Sequence, residues 1–470
     1  MIFSSIPFLY YFLPVVLLVY GLTPRVGKNA VLLLFSLVFY GWGEPKYLAV
    51  MLVCTALGYG FGLALGRAGR PGVRKALLAA SVLSSLSFLG YFKYADFFLS
   101  NFNALTGASL LLGTAFAEIQ GIGTLPLGIS FYTFQILSYT VDVYRGEAQV
   151  QKNPIDLACY VTMFPQLIAG PIVRYTDVAE QLKQRGRGDF SKGASRFLVG
   201  LGKKILLANL LGEVCAAWRG TQDGSVLFSW LYAVSYTLHI YFDFSGYSDM
   251  AIGLGALLGF RFPENFNYPY IAASVTEFWR RWHMTLSRWF RDYVYIPLGG
   301  NRKGMGKQLR NILIVWLLTG FWHGAAWNFL AWGLYFAALL ILEKLVLLRF
   351  LEKHRIFGHV YLLLAVVFGF VLFDASTLSG AWDCIRGMLG FEGLPIASAE
   401  GLYLLRSNAL LLILAALGAT PLPKRIAKAL EVHCPKAAAI LHPAALCALL
   451  LICTAYLVDG SYNPFLYFRF

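Results

Sequence analysis

Apolar runs close to the ~20 residues that a helix needs to cross a bilayer recur from one end of the chain to the other. The clearest cover residues 8–22, 30–40, 48–65, 77–92, 226–241, 329–342, 361–373, 403–417 and 438–458. In hydrocarbon every backbone amide must be satisfied internally, so these runs are expected to be helices. Counting further runs broken by Gly or Pro, the pattern predicts about 11 crossings. The expected class is an all-α polytopic membrane protein with additional re-entrant or interfacial helices. Only 13% of the 470 residues are charged, about half the ~25% usual in a soluble domain. The first run carries no charge before Arg25 and is followed at once by further apolar runs, so it reads as a retained membrane helix and not a cleaved signal peptide.

The net charge of +15 is carried by short clusters. They fall at Arg25/Lys28, Arg67/Arg70/Arg74/Lys75, Lys183/Arg185/Arg187, Arg302/Lys303/Lys307/Arg310, Lys344/Arg349/Lys353/Arg355 and Lys424/Arg425/Lys428. Dispersed between spans, they do not make the single basic face that nucleic acid requires. The positive-inside rule makes them cytoplasmic loops and predicts both termini outside.

The seven cysteines form no C-x-x-C pair and sit mostly in apolar runs, as small core residues do. No metal-ligand spacing is present. Among the histidines, His354, His359 and His433 fall in or beside basic loops and are expected to be solvated. His442 precedes Pro443 near a helix start, which leaves His239, His283 and His323 in the membrane portion.

No soluble domain is evident, and residues 1–470 read as one membrane domain. It divides into N-terminal helices (1–124), a core (125–345) and C-terminal helices (346–470). The longest stretches between helices are expected at 99–124, 183–196 and 375–402. From 125 to 328 the apolar runs are short and interrupted, notably at 125–132, 163–172 and 241–250. Broken backbone survives at membrane depth only where protein or a water-filled cavity satisfies it, so this core is expected to surround a cavity. Asp243 and Asp249 lie in the third of these stretches; local capping or pairing with tyrosine hydroxyls is one reading of these acids in an apolar segment, and a functional role is left equally open.

On a helical wheel of residues 276–292, Phe278, Trp282, Leu286, Trp289 and Phe290 share one side, with Arg280, Arg288 and Arg291 opposite. That pattern predicts an amphipathic helix in the cytoplasmic interface, its arginines toward headgroups or an anionic ligand. His283 falls at the border of the apolar arc. It is either a buried, hydrogen-bonded structural group or a polar group facing the cavity. Residues 295–302 follow as a turn-rich loop.

His323 differs. It sits in Thr319-Gly320-Phe321-Trp322-His323-Gly324, a break between the apolar runs 312–318 and 329–342. A histidine there is costly to bury without a partner. The glycines are expected to leave room for a substrate, with Trp322 and Trp327 excluding water. A helix starting at the basic edge near Arg310 would carry His323 roughly 20 Å, most of the way across a ~30 Å core. A neutral imidazole there can take the proton of a hydroxyl as that oxygen attacks a thioester.

The Trp322-His323-Gly324 element, the 278–292 segment with its Trp-Arg-Arg-Trp-His run, and residues 293–302 resemble the membrane-bound O-acyltransferase (MBOAT) family. The likeness is nearest to its bacterial polysaccharide O-acetyltransferase (AlgI-like) branch, which residues 163–175, 241–253, 265–270 and the tail 460–470 also fit. The resemblance covers essentially the whole chain. It implies a ring of helices around a central tunnel, with His323 catalytic and His283 a second functional histidine. At 370–374 relatives often carry Arg at the last position; this chain has Asp374, to which no role is assigned.

The activity implied is transfer of an acetyl or other acyl group across the membrane. The donor would be a cytoplasmic thioester, acetyl-CoA or an acyl-carrier protein, and no metal is required. Arg280, Arg281, Trp282, Arg288 and Arg291 would meet the donor, while a headgroup role for the arginines is equally open. The acceptor would be an extracellular hydroxyl on the way to O-acetylation of an alginate-like exopolysaccharide. A secreted SGNH or AlgJ/AlgX-like acetyltransferase would complete the transfer. Three other readings stay open: D-alanyl transfer to teichoic acid (DltB-like), a polysaccharide or lipid transporter, and a scaffold for a secretion complex.

Overall fold

The computed structural model describes residues 1–110, 125–221, 224–391 and 393–460. Among these the chain is helical with no strand. Five helices are long and apolar enough to cross a membrane, beginning at Arg25, Pro45, Pro71, Arg355 and Pro435. Ala399–Ser407 and Ala409–Gly418, bent by 55° at Asn408, pass the same test as a pair. The protein is a multi-pass membrane protein. Other apolar runs are divided into shorter pieces; residues 8–22, for example, become a π-helical turn, Pro7–Phe12, followed by the helix Leu13–Leu22.

The chain forms two compact units. The first comprises Met1–Ala194 with Ala251–Pro263. Its centre is a cluster of phenylalanines, in which Phe164 packs edge-on against Phe3, Phe8 and Phe12. Here two expected interruptions are real. Residues 125–128 turn through Gly128 at φ +75, where a Cβ would lie 2.5 Å from the carbonyl oxygen of Leu167. Beyond the short helix Phe164–Leu167, residues 168–173 run as buried, non-helical backbone.

The second unit comprises Ser195–Met250 and the chain from Glu264 onward. The third expected interruption, 241–250, is absent: these residues lie within one continuous helix, Val226–Leu257. Gly246 lets that helix approach its neighbour, since a Cβ there would meet the carbonyl oxygen of Gly200 at 2.8 Å. Asp243 and Asp249 are each paired with cations. Lys204 Nζ is 2.5 Å from Asp243, and both Lys203 and Arg196 reach Asp249. A carboxylate in an apolar helix needs such a partner, and the sequence places it one helix away.

The loops are also shorter than expected. The stretch 99–124 begins as the end of the helix Ala95–Thr106, and its residues 111–124 lie outside the described residues. Phe190–Gly202 is helical, as is Leu378–Met388. His442 lies inside the helix Pro435–Val458, 3.0 Å from Ser195 Oγ. His359 is half-buried, with Nδ1 2.8 Å from the carbonyl oxygen of Ala272, and is not solvated.

Candidate active site

His323 is the last residue of the helix Met305–His323. Gly324 then leaves the helix in extended backbone, and a second helix, Trp327–Leu342, begins after Ala326. The unbroken helix from Arg310 gives the expected ~20 Å rise at 1.5 Å per residue. A helix C-terminus carries about half a negative charge, which favours an imidazole gaining a proton.

The His323 ring is 7% exposed and enclosed by aromatic edges. Trp322 lies at 4.9 Å and 75°, Trp332 at 5.1 Å and 82°, and Phe373 at 5.2 Å and 83°. Near-perpendicular contacts at these distances are the favoured geometry for such rings. Trp327, expected beside the imidazole, is 57% exposed. Trp332 and Phe373 take that place, one from the second helix and one from the end of Arg355–Asp374. Asn328 Nδ2 donates to the carbonyl oxygen of Phe373 at 3.3 Å and ties that helix end to the site.

The glycines do not leave open space. A Cβ on Gly320 would strike the carbonyl oxygen of Phe329, and one on Gly333 would strike that of Trp316. A Cβ on Gly324 would enter the Phe329 ring. These residues are small because main chain packs against main chain where the two helices cross.

Residues 276–292 do not form the single amphipathic helix that their periodicity predicts. Val275–Trp279 and Met284–Phe290 are separated by a turn over 280–283. The expected apolar set, Phe278, Trp282, Leu286, Trp289 and Phe290, is buried nonetheless. His283 starts the second short helix from a left-handed backbone, φ 43 and ψ 51. For a non-glycine residue this costs on the order of 1–3 kcal/mol and persists only where the surroundings hold it.

The His283 ring is 2% exposed, edge-on to Phe244 at 4.7 Å and 89°. It lies 6.1 Å from Trp322, so one indole touches both His283 and His323. The His283 Nδ1 is 3.1 Å from Asn265 Oδ1. Asn265, eighteen positions away, opens the segment 265–270 that carries part of the resemblance, but nothing in the sequence assigns it this contact.

The arginines are not equivalent. Arg281 donates to Glu277 at 2.8 and 3.0 Å and to the carbonyl oxygen of Asn267 at 3.1 Å. The Glu277 carboxyl sits below its usual range: burial alone would raise it, and the Ala273 N–H with the Arg281 guanidinium outweighs burial. Arg291 pairs with its neighbour Asp292. Arg288 is half-buried, and Arg280, in the turn, is exposed. Trp282 is buried among Phe266, Phe278 and Phe370. Asp374, expected to have no role, pairs with Arg219 and accepts from the Tyr232 hydroxyl.

Comparison with known proteins shows the family. Residues 129–378 match the model of a family described as MBOAT, membrane-bound O-acyltransferase family. The chain is similar to a probable alginate O-acetylase AlgI of Azotobacter vinelandii, 42% identical over 83% of this chain and 78% of that protein. The corresponding Pseudomonas putida protein is 38% identical over the full length of both. A peptidoglycan O-acetyltransferase of Helicobacter pylori is 33% identical over 84% of this chain and 81% of its own. The tail, 461–470, which the resemblance also drew on, lies outside the described residues.

Proposed function

The chain belongs to the membrane-bound O-acyltransferase family, and from that premise we propose that it carries an acetyl group from cytoplasmic acetyl-CoA through a tunnel to a hydroxyl outside, for O-acetylation of a cell-surface polysaccharide. The polymer is of the alginate type, by likeness to the relatives' stated substrate. The membrane is the plasma (inner) membrane, with the basic loops cytoplasmic and both termini outside.

One observation carries the mechanism: a single imidazole enclosed by Trp322, Trp332 and Phe373 at the negative end of a helix. His323 takes the proton of the acceptor hydroxyl as its oxygen bonds to the thioester carbonyl carbon. The C–S bond then breaks, and the thiolate leaves with the proton that His323 gives back. Products are an ester and a thiol. The aromatic edges keep water from competing as nucleophile, and the helix end steadies the transient imidazolium.

Arg280, exposed in the turn, is the first candidate to meet donor phosphates, with Arg288 and Arg291 as further candidates; Arg281 and Trp282 belong to the same turn. A secreted SGNH or AlgJ/AlgX-like acetyltransferase receives the acetyl group and passes it to the polymer.

The test compares wild type with His323→Ala in proteoliposomes given radiolabelled acetyl-CoA, following label onto an external acceptor. Transfer by wild type and its loss in the folded variant is the expected result. Equal transfer by both removes His323 as base, and transfer only from a D-alanyl donor removes the acetyl assignment.

A further inference from the structure

Asn265 is fully buried, and its side-chain amide is satisfied at both ends. Its Nδ2 donates to Ser248 Oγ at 3.0 Å. Its Oδ1 accepts from Thr285 Oγ1 at 2.9 Å and from the Thr285 backbone N–H at 3.4 Å. A backbone N–H can only donate, so it marks this end of the amide as the oxygen. The same oxygen faces His283 Nδ1 at 3.1 Å. An oxygen that can only accept requires Nδ1 to carry the ring proton. In a neutral ring the lone pair is then on Nε2, and Nε2 is buried with no hydrogen-bond partner among the described residues.

The main chain reinforces this arrangement. The Met284 N–H donates to the carbonyl oxygen of Asn265 at 3.0 Å, and the Asn267 N–H to that of Arg281 at 2.9 Å. These bonds straddle His283, one of two non-glycine residues with positive φ among the described residues. The other, Tyr268, follows Asn267 directly.

Resting on the acyl-transfer reading above, we propose that Asn265 is a positioning residue that locks His283 as the Nδ1–H tautomer, and that His283 Nε2 receives an N–H or O–H of the substrate. It does not receive the thioester carbonyl, which has no proton to give. His283 is an acceptor, complementary to the proton-transferring role of His323.

Histidine-selective 15N labelling of the full chain in nanodiscs reads the tautomer, with His283→Gln identifying the signals. The expected result is a protonated Nδ1 and bare Nε2 in wild type and in Asn265→Asp, whose carboxylate still accepts. In Asn265→Ala that preference is lost. A protonated Nε2 in wild type overturns the proposal, as does an unchanged tautomer in a folded Asn265→Ala. Should Asn265→Ala not fold, wild type and Asn265→Asp still decide. CoA or an alginate oligosaccharide is then added. A shifted Nε2 signal with CoA assigns the donor to the acyl carrier; a shift with the oligosaccharide assigns it to an acceptor hydroxyl. No shift with either overturns the substrate contact. The tautomer measurement needs no turnover, so its outcome is independent of whether the chain transfers acetyl groups.

Discussion

Lys204 Nζ and Asp243 Oδ1 lie 2.5 Å apart, and each side chain is 1% exposed. A pair at this depth need not add stability relative to well-packed apolar residues, but half of it is damaging. Lys204→Met alone, or Asp243→Leu alone, is expected to destabilise by about 3–5 kcal/mol, because each leaves one buried charge uncompensated. The double variant is expected to recover most of that loss. Denaturation midpoints of the four proteins in detergent complete the cycle; additive losses would show that the two residues act independently.

His323→Ala is expected to lower transfer by about 10²–10⁴-fold, the usual worth of a general base. Its melting temperature should stay near that of wild type, because the rings that enclose the imidazole have packing of their own: Trp332 lies on Phe373 at 5.1 Å and on Phe336, outside the enclosure, at 5.4 Å. A loss of activity matched by a loss of folded protein would assign His323 to packing.

Gly320→Ala and Gly333→Ala each force a methyl group into a facing carbonyl oxygen. Overpacking of this kind costs typically about 1–3 kcal/mol. Both variants should melt earlier than wild type and transfer more slowly, since His323 is three residues from Gly320 on the same helix. An unaltered melt would mean that the two helices separate freely at this crossing.

Arg280→Ala and Arg281→Ala should part company. Arg280 is exposed, so its removal is expected to leave stability within about 0.5 kcal/mol while raising KM for acetyl-CoA in a salt-dependent manner. Arg281 is bonded to Glu277 and Asn267, so its loss should appear first in the melt. Indistinguishable effects on KM and on stability would refute the distinction.

Burial was readable from the sequence where continuity was not. The periodicity of Phe278, Trp282, Leu286, Trp289 and Phe290 selects buried residues, yet a turn at 280–283 divides the helix it implies. A short helix, a turn and another short helix can bury the same set, so periodicity cannot tell them from one long helix. Residues 241–250 mislead in the opposite sense: polar side chains and Gly246 suggest a break, while their partners on a neighbouring helix keep the backbone regular. His323 stood out because a histidine between apolar runs is rare. Asn265, Trp332 and Phe373 did not, because what distinguishes them is proximity in space to a histidine on another element. Glycine is ambiguous in sequence, since it serves a void and a tight contact equally well.

That tight contact sets a limit on how the site adapts. Where Gly320 meets Gly333 there are no side chains between the helices to rearrange. The end of the helix that carries His323 is braced there by bare main chain. If His323 is the base, differences in reach between base and acyl carbon must be absorbed by the donor's own flexible arm.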